Sequence, residues 1–239
     1  EYYFVETWSQ DEDGLFTIEA GNGEAYRGRT ILLATGSTPR HLHVPGEERL
    51  ANCGLSYCAI CDGPLFRNKK HVIVGGGNSA VEAAIDMARI ASEVTVVQRS
   101  IFRADQILMD ELTKLPNVTT YTQTDVLAIE GEDKVSGVQV YHKDRDEQTR
   151  IEADAVFIEI GHNPNLGPFA GDLEVNASGE VIVDSQNQTN IPGVFAAGDV
   201  TDTQFKQIII AAAEGAKAAL SINNYLTVNP VKQAIKRSH

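Results

Sequence analysis

Cysteine is scarce in this chain: among 239 residues only Cys53, Cys58 and Cys61 carry sulfhydryl chemistry. Three cysteines cannot staple a secreted protein of this size, which excludes a disulfide scaffold. Long apolar runs are missing as well. The best candidate, Ile208 to Leu220, is broken by Glu214 and Lys217, and a bilayer span needs about 18–20 uninterrupted apolar residues. The first residues, Glu1 to Trp8, alternate like a strand and lack the basic start and apolar centre of a signal peptide. No initiator Met precedes them, so the chain reads as a soluble piece whose true beginning lies upstream. Positive charge is also in deficit, with 20 Lys and Arg against 33 Asp and Glu and a formal net charge of −13. Nucleic acid is therefore not the expected partner, because phosphate binding needs clustered Lys and Arg. A protein partner with a complementary basic patch suits such a surface better. The expected setting is the cytoplasm, without a membrane role.

What is present begins with short strands at Tyr2 to Thr7, Leu15 to Ala20 and Tyr26 to Leu33, ending in the turn-rich Ala34-Thr35-Gly36-Ser37-Thr38-Pro39. A new unit starts near Val44-Pro45-Gly46. Within it, a buried-type strand (Lys70 to Val74), a glycine turn, a helix (Val81 to Ile90) and a second strand (Val94 to Val97) form a βαβ pattern. A short helix over about 105–115 follows, then strands through Tyr121, Val126, Val138 and Val156, up to the turn Gly161-His162-Asn163-Pro164-Asn165. Strands at Val181 to Val183 and Gly193 to Ala196 and an Ala-rich helix from Phe205 to Leu220 close the chain. The pattern predicts two α/β domains, the middle one inserted into the outer one: residues 1–43, 44–165 and 166–239.

Three motifs carry chemistry. In Gly75-x-Gly77-x-x-Ala80, the first glycine permits a tight turn and the second lets the backbone approach a pyrophosphate at a helix N-terminus. A small residue at Ala80 lets helix and strand pack closely. A bare motif of this kind also occurs in unrelated glycine turns, but here it lies between a strand and a helix. The second strand ends at Gln98, about 20 residues further, where the dinucleotide fingerprint requires it. An acid there would favour NAD. Gln98, Arg99 and Arg103 instead point to NADPH, with NADH as the alternative. The second motif, Cys58-Ala59-Ile60-Cys61-Asp62, suits a reversible disulfide. Half a zinc site is the competing reading, disfavoured because Cys53, His41 and His43 supply no matching second half. Cys53 is expected to be a small buried residue. The third, Gly193 to Asp199 followed by Lys206 and Gln207, places an acid at a strand end, where it could serve a ligand hydroxyl or simply cap a helix.

These residues resemble the low-molecular-weight thioredoxin reductase family. Ala34-Thr35-Gly36, Cys58-x-x-Cys61-Asp62-Gly63, the Gly75 to Glu82 segment and Ala197-Gly198-Asp199 occur in that family's order, over essentially the whole chain. Cys61 to Phe66, Val81 to Asp86 and Lys206 to Ala211 are particularly similar to the flavoprotein subunit of alkyl hydroperoxide reductase. The resemblance implies two Rossmann-like three-layer domains, an NAD(P)H domain inserted into an FAD domain, in a homodimer. It implies Cys61 facing the flavin, Cys58 attacking the partner's disulfide, and Asp62 moving the proton. It assigns the nicotinamide dinucleotide to Gly75, Gly77, Asn78, Ser79, Ala80, Glu82, Gln98, Arg99 and Arg103. It assigns FAD to Thr35, Gly36, Gly198, Asp199, Lys206, Gln207 and Ile208. Rotation of the inserted domain is implied, with hinges near Val44–Glu48 and Gly161–Asn165.

Two departures qualify the expectation. The family's N-terminal glycine loop for FAD does not precede Glu1, which leaves roughly 80 residues unaccounted for. The NADPH-type His-Arg-Arg is replaced by Gln98-Arg99-Ser100, which keeps the cofactor preference open. The resemblance implies a thioredoxin-like or glutaredoxin-like acceptor, with a peroxiredoxin system as an alternative. A non-enzymatic dinucleotide-binding module is the rival from another class.

Overall fold

The computed structural model describes residues 3–230, so Tyr2 of the first expected strand lies outside the described residues. In chain order the elements are β1 (Val5–Gln10), β2 (Phe16–Ala20), β3 (Ala25–Gly28), β4 (Ile31–Leu33), β5 (Ser37–Pro39), α1 (Glu47–Leu50), β6 (Leu55–Ser56) and α2 (Ala59–Asp62). There follow β7 (Lys70–Val74), α3 (Asn78–Ala88), β8 (Glu93–Val97), α4 (Gln106–Leu112), β9 (Val118–Tyr121), β10 (Thr124–Gly131), β11 (Val135–His142) and β12 (Glu147–Glu152). The last are β13 (Ala155–Ile158), β14 (His162–Pro164), β15 (Val194–Ala196) and α5 (Ile208–Val228). The chain divides into two compact units: one runs up to Thr38 and resumes at His162, the other is Pro39–Gly161. The divisions fall before 44 and 165, the boundaries expected from turn composition.

The second unit is built on a parallel sheet in the order β6-β13-β7-β8-β9. Its central strands are continuous apolar runs because both faces are covered. Alternate residues serve opposite faces. Val72, Val74, Val156 and Ile158 join Ile129, Val138 and Val140 of the antiparallel ribbon β10-β11-β12 in one core. Ile73, Val94, Val96 and Phe157 join Ala80, Ala83, Ala84 and Met87 of α3 and Leu112 of α4 in the other. The Ala80, Ala83/Ala84, Met87 spacing is the stripe a helix needs to bury one side. Three layers result: helices, parallel sheet, antiparallel ribbon. The outermost ribbon strand, β12, is polar, largely exposed and carries no apolar signal from which to predict it.

The first unit holds an antiparallel sheet, β1-β2-β3, and a parallel pair, β4 with β15. Its core gathers Phe16, Ile31, Leu33, Phe169, Val181, Val194 and Ala196. Three expectations are corrected here. The single strand Tyr26 to Leu33 is two strands in different sheets, β3 and β4, parted at Arg29 and Thr30. Val181 to Val183 is no strand, because Val181 forms only isolated bridges to Val175 and Thr201. The closing helix starts later and runs longer than Phe205 to Leu220: Gln207 caps it in extended backbone, and it continues through Val228.

Candidate redox and dinucleotide site

In the second unit the chemistry-bearing residues lie just past the carboxyl ends of parallel strands, the edge at which open α/β sheets bind ligands. β6 leads to Cys58, β13 to Glu159, β7 to Gly75 and β8 to Gln98. Sheet order therefore sets Glu159 on the strand between the one feeding the cysteines and the one feeding the glycine turn.

Cys58 and Cys61 form a disulfide. Cys58 is the extended N-cap of α2, and its sulfur accepts the Cys61 N–H at 3.2 Å. Cys61 is exposed and Cys58 half-buried. One hydroxyl orders the surroundings: Ser56 Oγ donates to Asp62 Oδ2 at 2.6 Å and accepts the Cys58 N–H at 3.0 Å. A cleft of about 210 Å³ beside this pair is lined by Ser56, Asp62, Leu65 and Phe66. The Ala59 amide, first in the helix, donates to Glu159 Oε1 at 3.0 Å. Burial pushes the Glu159 carboxyl up to about 7, against the opposing pull of that amide.

The glycine turn fits a dinucleotide pyrophosphate. Gly75 has φ +148°, and a Cβ there would lie 2.2 Å from the Glu159 carbonyl oxygen. At Gly77 a Cβ would meet nothing within 4 Å, and no side chain caps α3, which begins at the next residue. Open space beside uncapped helical amides is what a phosphate requires. Replacing Gly77 with Ala should leave the fold intact, since its backbone is extended, and should weaken nicotinamide dinucleotide binding by about tenfold or more. Gly75→Ala should instead destabilise the unit. Fluorescence titration of the dinucleotide alongside denaturant unfolding separates the two outcomes.

The other residues expected at this site divide by position. Ala80 is buried against the sheet; Ser79 and Glu82 are exposed. Asn78 pairs reciprocally with Asp105, holding the start of α4 at 2.9 Å in both bonds. Gln98 is buried: its amide donates to the Ile101 carbonyl, its oxygen accepts the Arg99 N–H, and it packs on Gly76. It closes a turn. Arg99 and Arg103 are exposed, and their guanidinium groups make no ion pair among the described residues.

In the first unit, β4 and β15 deliver Thr35-Gly36 and Gly198-Asp199 past adjacent strand ends. Gly36 has φ +66° with open space around it. The Asp199 side chain is half-buried and makes no hydrogen bond or ion pair among the described residues. This combination fits a ligand bearing phosphate and hydroxyl groups, as FAD does. Lys206 does not reach out for one, because its ammonium is held by the Thr201 carbonyl and Glu180. Gln207 is the N-cap of α5, and Ile208 is 91% exposed.

Three carboxylates give no readable pattern in the sequence. Glu214 accepts the Gly198 N–H at 2.9 Å and so fixes the Gly198-Asp199 turn. Glu47, only 2% exposed, accepts the N–H groups of Leu42, His43 and Val44 and the Tyr57 hydroxyl. Glu159 is the third. One expectation is overturned: Cys53 is exposed, not buried, because it sits in the turn before β6. His41, a candidate in the competing zinc reading, is engaged with Glu47 and Tyr57.

A parallel sheet with a phosphate-fitting turn and a disulfide at the same edge defines a dinucleotide-linked disulfide oxidoreductase fold. Residues 5–215 match the family described as pyridine nucleotide-disulphide oxidoreductase, and the chain belongs to it. It is 44% identical over 220 residues to a protein named NADH dehydrogenase from Ferdinandcohnia aciditolerans, covering 92% of this chain and 42% of that one. It is 43% identical over 217 residues to a Pseudomonas putida protein named as a subunit of alkyl hydroperoxide reductase, with 90% and 42% covered. Among solved structures, thioredoxin reductase from Streptococcus pyogenes superimposes with a TM-score of 0.86 at 37% identity, covering 95% of this chain and 74% of that one. The chain thus spans less than half the length of these curated relatives. No helix among the described residues is long and apolar enough to cross a membrane.

Proposed function

We propose that the chain is the catalytic part of an NAD(P)H-dependent flavoprotein disulfide reductase that passes electrons through Cys58–Cys61 to a thioredoxin-like or glutaredoxin-like protein. The observation that carries this reading is a formed disulfide sharing one sheet edge with a turn shaped for pyrophosphate. Gly75, Gly77 and the first amides of α3 would hold the nicotinamide dinucleotide. Thr35, Gly36, Gly198 and Asp199 would hold part of FAD. When bound, these cofactors supply the electron pair that opens the disulfide.

The chain's own residues do the rest. Two electrons and two protons convert Cys58–Cys61 to two thiols. The Cys58 thiolate attacks the partner's disulfide, forming a mixed disulfide and releasing one partner thiolate, which takes a proton. Cys61 then attacks the Cys58 sulfur, restoring the original bond and freeing the partner as a dithiol. Asp62, oriented by Ser56, moves the protons. Ile60 and Leu65, 61% and 78% exposed, give a partner an apolar surface beside the sulfurs.

We read Arg99 and Arg103 as the groups that choose NADPH, since Gln98 is engaged in its own turn. Replacing both arginines with Ala should raise the KM for NADPH by about 10–100-fold, the worth of one charge-assisted contact, and leave that for NADH unchanged.

A second reading, electron supply to a peroxiredoxin system, is favoured by relatives named as alkyl hydroperoxide reductase components. Mixing the FAD-loaded protein with NADPH or NADH and purified acceptors tests both. Reduction of the peroxiredoxin but of no redoxin would reject the first reading.

A further inference from the structure

Glu159 is a half-buried carboxyl that the chemistry above does not use. Its strand lies between the strands carrying the cysteines and the glycine turn. Its carbonyl oxygen is packed on Gly75, and its side chain accepts the amide joining Ala59 to Cys58. Four covalent bonds separate that amide nitrogen from the Cys58 sulfur, which keeps the carboxyl oxygen within about 8 Å of the sulfur.

We propose that Glu159 is a positioning residue whose charge sets the proton affinity of the reduced Cys58–Cys61 pair. The inference rests on reading that pair as the redox centre. A carboxylate at this spot opposes a thiolate on Cys58, whereas a neutral carboxyl permits one and still accepts the Ala59 amide. When two electrons open the disulfide, two protons are needed for two thiols. With Glu159 protonated, Cys58 gives up its proton more readily and attacks as thiolate. With Glu159 ionised, the proton stays on sulfur. Because burial holds the Glu159 carboxyl near neutrality, this control operates at the pH of a cell.

The ionisable groups on the surrounding segments leave Glu159 as the adjustable charge. The redox helix brings the two sulfurs and Asp62, which is engaged by Ser56. Tyr57 is bonded to Glu47, and burial with that carboxylate pushes its hydroxyl pKa up. The Gly75–Gly77 turn brings no ionisable side chain, and Glu82 on α3 is exposed. Arg40 lies beside Gly161, and its guanidinium carries a fixed positive charge that does not titrate over this range. Burial is what raises the Glu159 pKa, and the Ala59 amide opposes it.

The test needs neither flavin nor nicotinamide, so it stays separate from the fate of the proposed activity. The full chain is reduced with a phosphine, the phosphine is removed, and the thiols are alkylated with iodoacetamide from pH 5 to 10. Mass spectrometry follows the Cys58 peptide, because Cys53 also reacts. Charges about 8 Å apart at an effective dielectric of about 20 move a pKa by roughly one to two units. Glu159→Gln, which keeps the amide acceptor and removes the charge, should lower the Cys58 midpoint by about one unit. It should also speed alkylation at pH 7.5 by up to about threefold, after allowing for the weaker nucleophilicity of a more acidic thiol. Glu159→Ala should shift the midpoint the same way. A Gln profile superimposed on the parent's overturns the proposal, as does a shift seen with Ala alone, which would make Glu159 only an amide acceptor.

Discussion

Replacing Cys61 with Ser is expected to lower redoxin reduction by at least about a thousandfold, because the mixed disulfide then has no thiolate to resolve it. Transfer from the nicotinamide cofactor to a small artificial quinone, which needs no thiols, should persist in the FAD-loaded variant. A stopped reaction of Cys61→Ser with a redoxin should also leave a covalent adduct on Cys58, visible as one added mass by non-reducing gel and mass spectrometry. An adduct on Cys53 instead would reassign the nucleophile. Asp62→Asn should slow turnover by about a hundredfold, in line with the worth of one placed acid–base group, and leave the disulfide formed. Its partner Ser56 gives the graded control: Ser56→Ala removes a hydrogen bond and not the carboxylate, so its effect should be smaller.

How far the sequence can be read follows from where each feature's partners sit. The glycine turn and the Cys58 to Asp62 segment are legible because their chemistry is contiguous: a strand, a steric requirement for glycine and a helix start fall within a few residues. The same holds for the inserted middle unit, whose central strands must be apolar on both faces. Glu159 is invisible because its partner, Ala59, lies 100 positions away, and a lone Glu at a strand end has no pattern. Lys206 shows the opposite failure. The motif around it is local, but Glu180 and the Thr201 carbonyl take up its ammonium, and only the folded chain reveals that. Val181 reads as a strand since it is apolar and buried, yet the chain offers it bridges and no ladder. Burial without pairing cannot be told from burial with it by hydrophobicity alone.

Glu47 carries the largest expected effect on stability, and its logic is that of obligatory backbone partners. Leu42, His43 and Val44 leave the ordered ladder in succession, and all three of their N–H groups point at one carboxylate. The Tyr57 hydroxyl, directly before Cys58, donates to the same group at 3.0 Å. Burial alone would push the Glu47 pKa up, but the Leu42 amide, the Tyr57 hydroxyl and the other amides hold it below the ordinary carboxylate value of 4.5. Glu47→Ala strands four donors at once, three of them half-buried and the His43 amide exposed, and a donor fully cut off from water costs about 1–3 kcal/mol. With partial access of water the net loss should be about 3–5 kcal/mol, measured by urea unfolding. Glu47→Gln should lose about half as much, because its carbonyl oxygen keeps one pair of donors while its NH2 turns toward the other pair. The sign of the pH dependence follows from the lowered pKa. The stabilisation is complete above the unfolded carboxylate value and disappears as pH falls through the lower folded value. Parent and Glu47→Ala stabilities should therefore differ most at neutral pH and converge in acid. If the gap instead stayed constant as the pH was lowered through the acid range, Glu47 would act by shape alone, and the carboxylate would not be what holds the segment before Cys58 in place.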